Sequence, residues 1–108
     1  MTTEILRGSV WRIPTVGRER TVLVVGNDAV TRLHPGGIQC VPIQEIEDAL
    51  DTLVTVRINA PVVGVVMAPD VCPFRPLRFE QGKFLGYVSH EDMDRVTRAI
   101  AAVFDIPL

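Results

Sequence analysis

Hydrophobic and polar positions alternate in short runs along most of this chain, and only its last segment switches to a helical period. Ser9-Val10-Trp11-Arg12-Ile13 places Ser9, Trp11 and Ile13 on one face and Val10 and Arg12 on the other, which predicts a strand. Pro14 is expected to stop it, and residues 14–19 to form a loop carrying Gly17, Arg18 and Glu19. Arg20 then opens the run Thr21-Val22-Leu23-Val24-Val25, which Gly26-Asn27-Asp28 closes. A branched apolar run bounded by turn residues predicts a central strand buried on both faces. Arg20 is the last charge before that core, either a solvated flank or a charge held at a site.

The rest of the pattern continues in the same style. Residues 1–6 read as a loose leader, and Asn27 to Gly37 as a polar connection broken by Pro35-Gly36-Gly37. Ile38 to Ile43 predicts a third strand, with Pro42 marking an edge or a bulge because proline cannot donate to a ladder. Gln44 to Asp51 is acidic and compatible with one helical turn. Leu53–Ile58 and Val62–Ala68 predict two more strands, the second with Gly64 as a bulge or close-packing point. Val71 to Phe79 is expected to be extended, held so by Pro73 and Pro76, and Phe84 to Val88 closes the β part.

The final segment, about residues 89–104, predicts a helix. Ser89 is the N-cap candidate, Asp92 stands in the capping-box position, and Val88 and Met93 form the ends of a hydrophobic staple. Met93, Val96, Ile100, Val103 and Phe104 recur at helical spacing. Glu91–Arg95 and Asp94–Arg98 are acid-first i,i+4 pairs. Short strands followed by one amphipathic helix predict a mainly β fold: a small, strongly bent sheet or barrel with the helix packed on it.

Length and composition narrow this further. The 108 residues suit one domain, here residues 1–108, with strands within 8–88. No run reaches the ~18 apolar residues of a membrane helix, and no secretory signal is evident at the N-terminus. A cytoplasmic protein is expected. Cys40 and Cys72 sit in apolar, strand-like runs and read as reduced buried thiols, without the spacing of a metal site. Neither metal nor cofactor is expected.

The net charge of −2 argues against a generic nucleic-acid binder, but the distribution is uneven. Residues 1–33 hold five arginines against three acids, and residues 57–83 four basic residues against two acids. Ten of the eleven basic residues are arginine, whose planar fork suits bidentate phosphate contacts. A coding bias towards arginine explains the same count.

The order of motifs carries a resemblance. Arg7-Gly8-Ser9-Val10-Trp11, a loop, then Arg20 before Val22-Leu23-Val24-Val25-Gly26-Asn27-Asp28 resembles the MazF/PemK toxin family, with its R-G-(D/E)-(I/V)-W start and R-P-x-(L/V)-V-(V/L)-S-N strand. Val41-Pro42-Ile43 resembles its V-P-I strand end, and Leu85-Gly86-Tyr87-Val88-Ser89 its ending before the helix. The related CcdB toxins share the fold, and Val88-Ser89-His90-Glu91 resembles their tail. The resemblance implies an SH3-like, CcdB/PemK-like barrel with a C-terminal helix. It implies a homodimer, a cognate antitoxin protein, and metal-independent cleavage of single-stranded RNA, with no membrane partner.

The resemblance assigns phosphate handling to Arg20. The family's helper Thr or Ser after the strand end is replaced here by Gln44, Thr21 stands where the family has proline, and Gly26 where it has serine. Gln44 is taken as an amide donor, and Glu19 as a residue that orients Arg20 or acts as a base. Arg18, Arg75, Arg78 and Trp11 are the expected RNA contacts, Trp11 as a stacking platform or else a core residue. His34 and His90 read as surface residues. Two other functions share this frame: protein binding in the manner of a gyrase poison, which the ending Asp105-Ile106-Pro107-Leu108 matches poorly, and a dimeric regulatory module without catalysis.

Overall fold

The apolar alternation folds into one bent antiparallel sheet closed at one side by a helix. The computed structural model describes residues 4–34, 36–48 and 50–108. Part of the expected leader and Pro35 of the expected breaker therefore lie outside the described residues. The strands are β1 (Ser9–Thr15), β2 (Arg18–Val24), β3 (Ile38–Gln44), β4 (Thr55–Ile58), β5 (Gly64–Met67), β6 (Cys72–Phe74) and β7 (Lys83–Tyr87). Their order is β4-β5-β3-β2-β1-β7, with β6 also paired to β3. The helices are α1 (Asp28–Leu33), α2 (Pro76–Glu80) and α3 (His90–Val103), and Ala68–Asp70 form a 3₁₀ turn.

The two faces of β2 feed two apolar clusters, as strand alternation requires. Val22 and Val24 pack with Trp11, Ile13, Ile38, Cys40 and Phe79. Leu23 packs with Val10, Val41, Ile43, Val66 and the buried side of α3, Met93, Val96 and Ala99. Ser89 caps α3 by accepting from the Asp92 N–H at 3.1 Å, and Val88 and Met93 are both buried as a staple should be. Arg7 ties the ends together. Its guanidinium donates to Thr97 Oγ1 on α3 at 2.7 Å and to the Val25 carbonyl at 3.2 Å.

Several expectations are corrected. Pro14 does not stop β1; it pairs with Glu19, and only Val16-Gly17 remain as the tip, with Gly17 at φ 83°. Thr15 and Arg18 close the turn, so the next pair is of the non-hydrogen-bonded kind and the proline nitrogen faces away from β2. It does so beyond the last β1–β7 pair, Arg12–Lys83, where no strand needs a donor. Pro42 lies inside β3, opposite Val22. On the strand's other side β6 ends at Cys40 and β5 begins at Ile43, so the missing N–H falls in the gap between two partners.

Helix α1 occupies the expected polar connection, capped by Asn27, whose Oδ1 accepts from the Ala29 N–H at 2.8 Å. Helix α2 replaces the end of the expected extended segment, because Pro76 stands in its first turn, where a missing N–H does no harm. The acidic stretch after β3 forms no helical turn among the described residues. Asp51 Oδ1 accepts from the Arg57 N–H at 2.6 Å instead. The two expected i,i+4 pairs on α3 are also absent among the described residues; Arg95 pairs with Asp92 at 3.0 Å and with Asp51 at 2.6 Å. No helix among the described residues is long and apolar enough to cross a membrane.

Candidate functional site

β2 and β3 pair from Val24–Cys40 to Val22–Pro42 and then part. A cavity of about 670 Å³ opens where they separate. Carrying the register two residues further sets Arg20 level with Gln44, and both line the cavity. Gln44 is fixed from the other side by pairing with Val65. Gly64 packs so close that a Cβ there would stand 2.4 Å from the Gln44 carbonyl oxygen. The expected close-packing point is thus the support beneath a site residue.

Glu19 and Arg18 also line the cavity, as does Arg12. A shallower hollow of about 320 Å³ shares Arg12 and Glu19 and adds Lys83. The remaining expected contacts lie elsewhere. Trp11 is buried, 5% exposed, with its ring edge-on to Phe79 at 5.5 Å and its Nε1–H donated to Ser9 Oγ at 2.9 Å. Its ring is core, so the stacking role is withdrawn. Arg75 is exposed at the start of α2, and Arg78 donates to the Pro14 carbonyl at 3.4 Å. Neither lines the cavity. His34 and His90 are exposed, as expected.

Four further groups that the sequence did not assign to the site line the cavity: Thr21, Glu45, Asp70 and Cys72. Glu45, just past β3, accepts from Arg12 Nη2 at 2.8 Å on one oxygen and from Thr21 Oγ1 at 2.7 Å on the other. Thr21 thus faces away from Arg20, as alternation requires, and its hydroxyl serves Glu45. Asp70 and Cys72 line the cavity as well. Burial raises the Cys72 thiol above its ordinary range; Arg20 pulls it down and Asp70 pushes it up. Cys40, its partner across the β3–β6 pair, is raised further by burial and by Cys72. The expectation of two buried thiols therefore holds for Cys40, while Cys72 is only half-buried and reaches the site. Alternation already set Arg12 apart from Trp11 and Ile13. Only the sheet register brings Glu45 to it from 33 residues away.

Chemically this is a cleft with three arginines, an amide, one fixed carboxylate, Glu45, and two further ones, Glu19 and Asp70. Such a set suits a phosphodiester: guanidinium forks bind the anion, and carboxylates accept protons. Residues 6–104 match the family model of the PemK-like, MazF-like toxin of type II toxin–antitoxin systems. The chain belongs to this family. It is a toxin of that class, mainly β with the MazF/CcdB-like sheet and C-terminal helix that the resemblance implied.

Solved structures agree on the fold. The toxin superposes on an endoribonuclease from Mycobacterial species with a TM-score of 0.83 at 23% identity, covering 99% of this chain and 97% of that one. A mycobacterial endoribonuclease in complex with its cognate antitoxin gives 0.82 at 24%, covering 96% of each chain. A MazE-MazF crystal structure from Deinococcus radiodurans gives 0.79 at 18%, covering 97% of this chain and 99% of that one. A comparison with curated proteins returns no match.

Proposed function

We propose that the toxin is a metal-independent endoribonuclease that cleaves single-stranded RNA in the cytoplasm. The carrying observation is that Arg20, the family motif's arginine, lines the cavity that opens where β2 and β3 part, together with Gln44 and Glu19. The relatives of the same fold that are named endoribonucleases support the reading.

Cleavage needs three things. The ribose 2′-OH must lose its proton, the phosphorane charge must be stabilised, and the 5′-oxygen must leave. Arg20 stabilises the phosphate, aided by Arg18 and Arg12 as fixed positive charge. Gln44 donates its amide to a phosphate oxygen, in place of the family's hydroxyl. Glu19 is the base. Both oxygens of Glu45 already accept bonds, whereas the Glu19 carboxylate accepts none among the described residues. The products would carry a 2′,3′-cyclic phosphate and a 5′-hydroxyl, as attack by the 2′-oxygen dictates.

The same reading includes a homodimer and an antitoxin that silences it. Ile46, Leu50, Leu53, Leu77 and Phe104 are all about half exposed or more, apolar surface of the kind that partners cover. End-group analysis of RNA incubated with the purified toxin in EDTA tests the activity. Cyclic phosphate ends support it; intact RNA bound without cleavage points to the non-nuclease members of this fold.

A further inference from the structure

Cys40 and Cys72 stand directly opposite each other across the antiparallel β3–β6 pair. The Gln39 carbonyl accepts from the Val25 and Gly26 N–H groups, so the polar groups of Gln39 turn towards β2. Pro73, its partner on β6, has no N–H to offer. The neighbouring Cys40–Cys72 pair is therefore the hydrogen-bonded kind, with Cα atoms about 5.5 Å apart. That lies within the ~4.4–6.8 Å a disulfide requires. Both thiols are free, and both side chains lie on one face.

We propose that Cys40 and Cys72 form a reversible intramolecular disulfide that reshapes the cleft beside Arg20. Opposite Cβ atoms in such a pair are about 5 Å apart, and a disulfide needs about 3.5–4.5 Å. Closure draws β6 towards β3 by roughly an ångström on those figures. β6 can follow, because it has three residues and pairs only with β3. Asp70, Val71 and Cys72 line the same cavity as Arg20, so that part of the lining moves with the strand.

The chemistry balances with peroxide as oxidant. The Cys72 thiol, partly exposed in the cavity that Arg20 also lines, loses its proton and attacks one peroxide oxygen, giving a sulfenic acid and, once the departing hydroxide is protonated, water. The Cys40 sulfur then displaces the sulfenic oxygen, which leaves as a second water. Two thiols give up two protons and two electrons, and one peroxide becomes two waters. The disulfide does not depend on the nuclease reading.

Peptide mapping of the full-length toxin after hydrogen peroxide tests it, with hydrogen exchange of residues 68–74 as the second readout. The expected result is one cross-link between the Cys40 and Cys72 peptides within a single chain, lighter by two hydrogens and reversed by dithiothreitol. Slower exchange of residues 68–74 accompanies it. Cys40→Ala and Cys72→Ala, each verified as folded, lose both effects. Peroxide that leaves both thiols free, oxidises Cys72 to a sulfinic acid without a link, or joins two copies would overturn the proposal. So would a link that leaves exchange unchanged.

Discussion

Arg12 and Glu45, 33 residues apart in sequence, meet in an ion pair of 2.8 Å at the edge of the cavity. Their side chains are 35% and 40% exposed, so solvent screens the pair and its contribution to stability is small, below about 1 kcal/mol. Its value is geometric, because it fixes a third guanidinium in the cavity that Arg18 and Arg20 also line. Glu45→Gln is expected to shift the urea midpoint little while weakening RNA binding several-fold. A large loss of stability with unchanged RNA affinity would show that the pair serves the fold alone.

Trp11 gives the opposite expectation. It is enclosed by Phe79 and Phe84 and bonded to Ser9. Trp11→Ala should cost about 3–5 kcal/mol in denaturant unfolding, as expected for a deleted core aromatic. Trp11→Phe, in protein that remains folded, should leave RNA affinity within about twofold. A tenfold loss there would restore the stacking role.

Gly64 couples packing to the site. A Cβ at this position meets the Gln44 carbonyl oxygen at 2.4 Å and the Glu45 Cα at 3.1 Å, both backbone atoms that cannot swing aside. Gly64→Ala is expected to destabilise by about 1–3 kcal/mol. It should also lower cleavage rate more than Val65→Ala of similar stability, since it displaces Gln44 and Glu45 together.

Cys40 predicts an alkaline limit to stability. Burial lifts its thiol above the ordinary value of 9.0, so the folded protein holds that proton more tightly than the unfolded chain does. The stabilisation is fully present below pH 9.0 and is lost as pH rises above it. Thermal melts from pH 7 to 10.5 should show Tm falling at the alkaline end, and Cys40→Ala should flatten that fall. An equal slope in both proteins would mean other groups set it.

Much of this fold is legible in residue order, for identifiable reasons. Strands β1 to β5 and β7 announce themselves through alternation or branched apolar runs, and α3 through Ser89, the staple and its buried spacing. Helix α1 escapes because none of its residues is buried, so no amphipathic stripe marks it; Asn27 is its one signal. Helix α2 escapes because Pro76 reads as extended when it in fact stands in a first turn. At the site, Arg20, Glu19, Gln44 and Arg18 are recognisable from the motif and its surroundings. Glu45, Thr21, Asp70 and Cys72 join them only through register, and local spacing carries no trace of that.

Arg20 in the cleft where β2 leaves β3 is the centre of the functional proposal, and its removal is the most direct test. Wild-type toxin and Arg20→Ala, matched for folding by circular dichroism, are incubated with a long single-stranded RNA in EDTA, and initial cleavage rates are compared. The expected result is discrete cleavage by the wild type and a rate lower by about 100-fold or more in Arg20→Ala, the loss typical of a transition-state charge stabiliser. Intact RNA with folded wild-type protein, or equal rates for the two proteins, would contradict it.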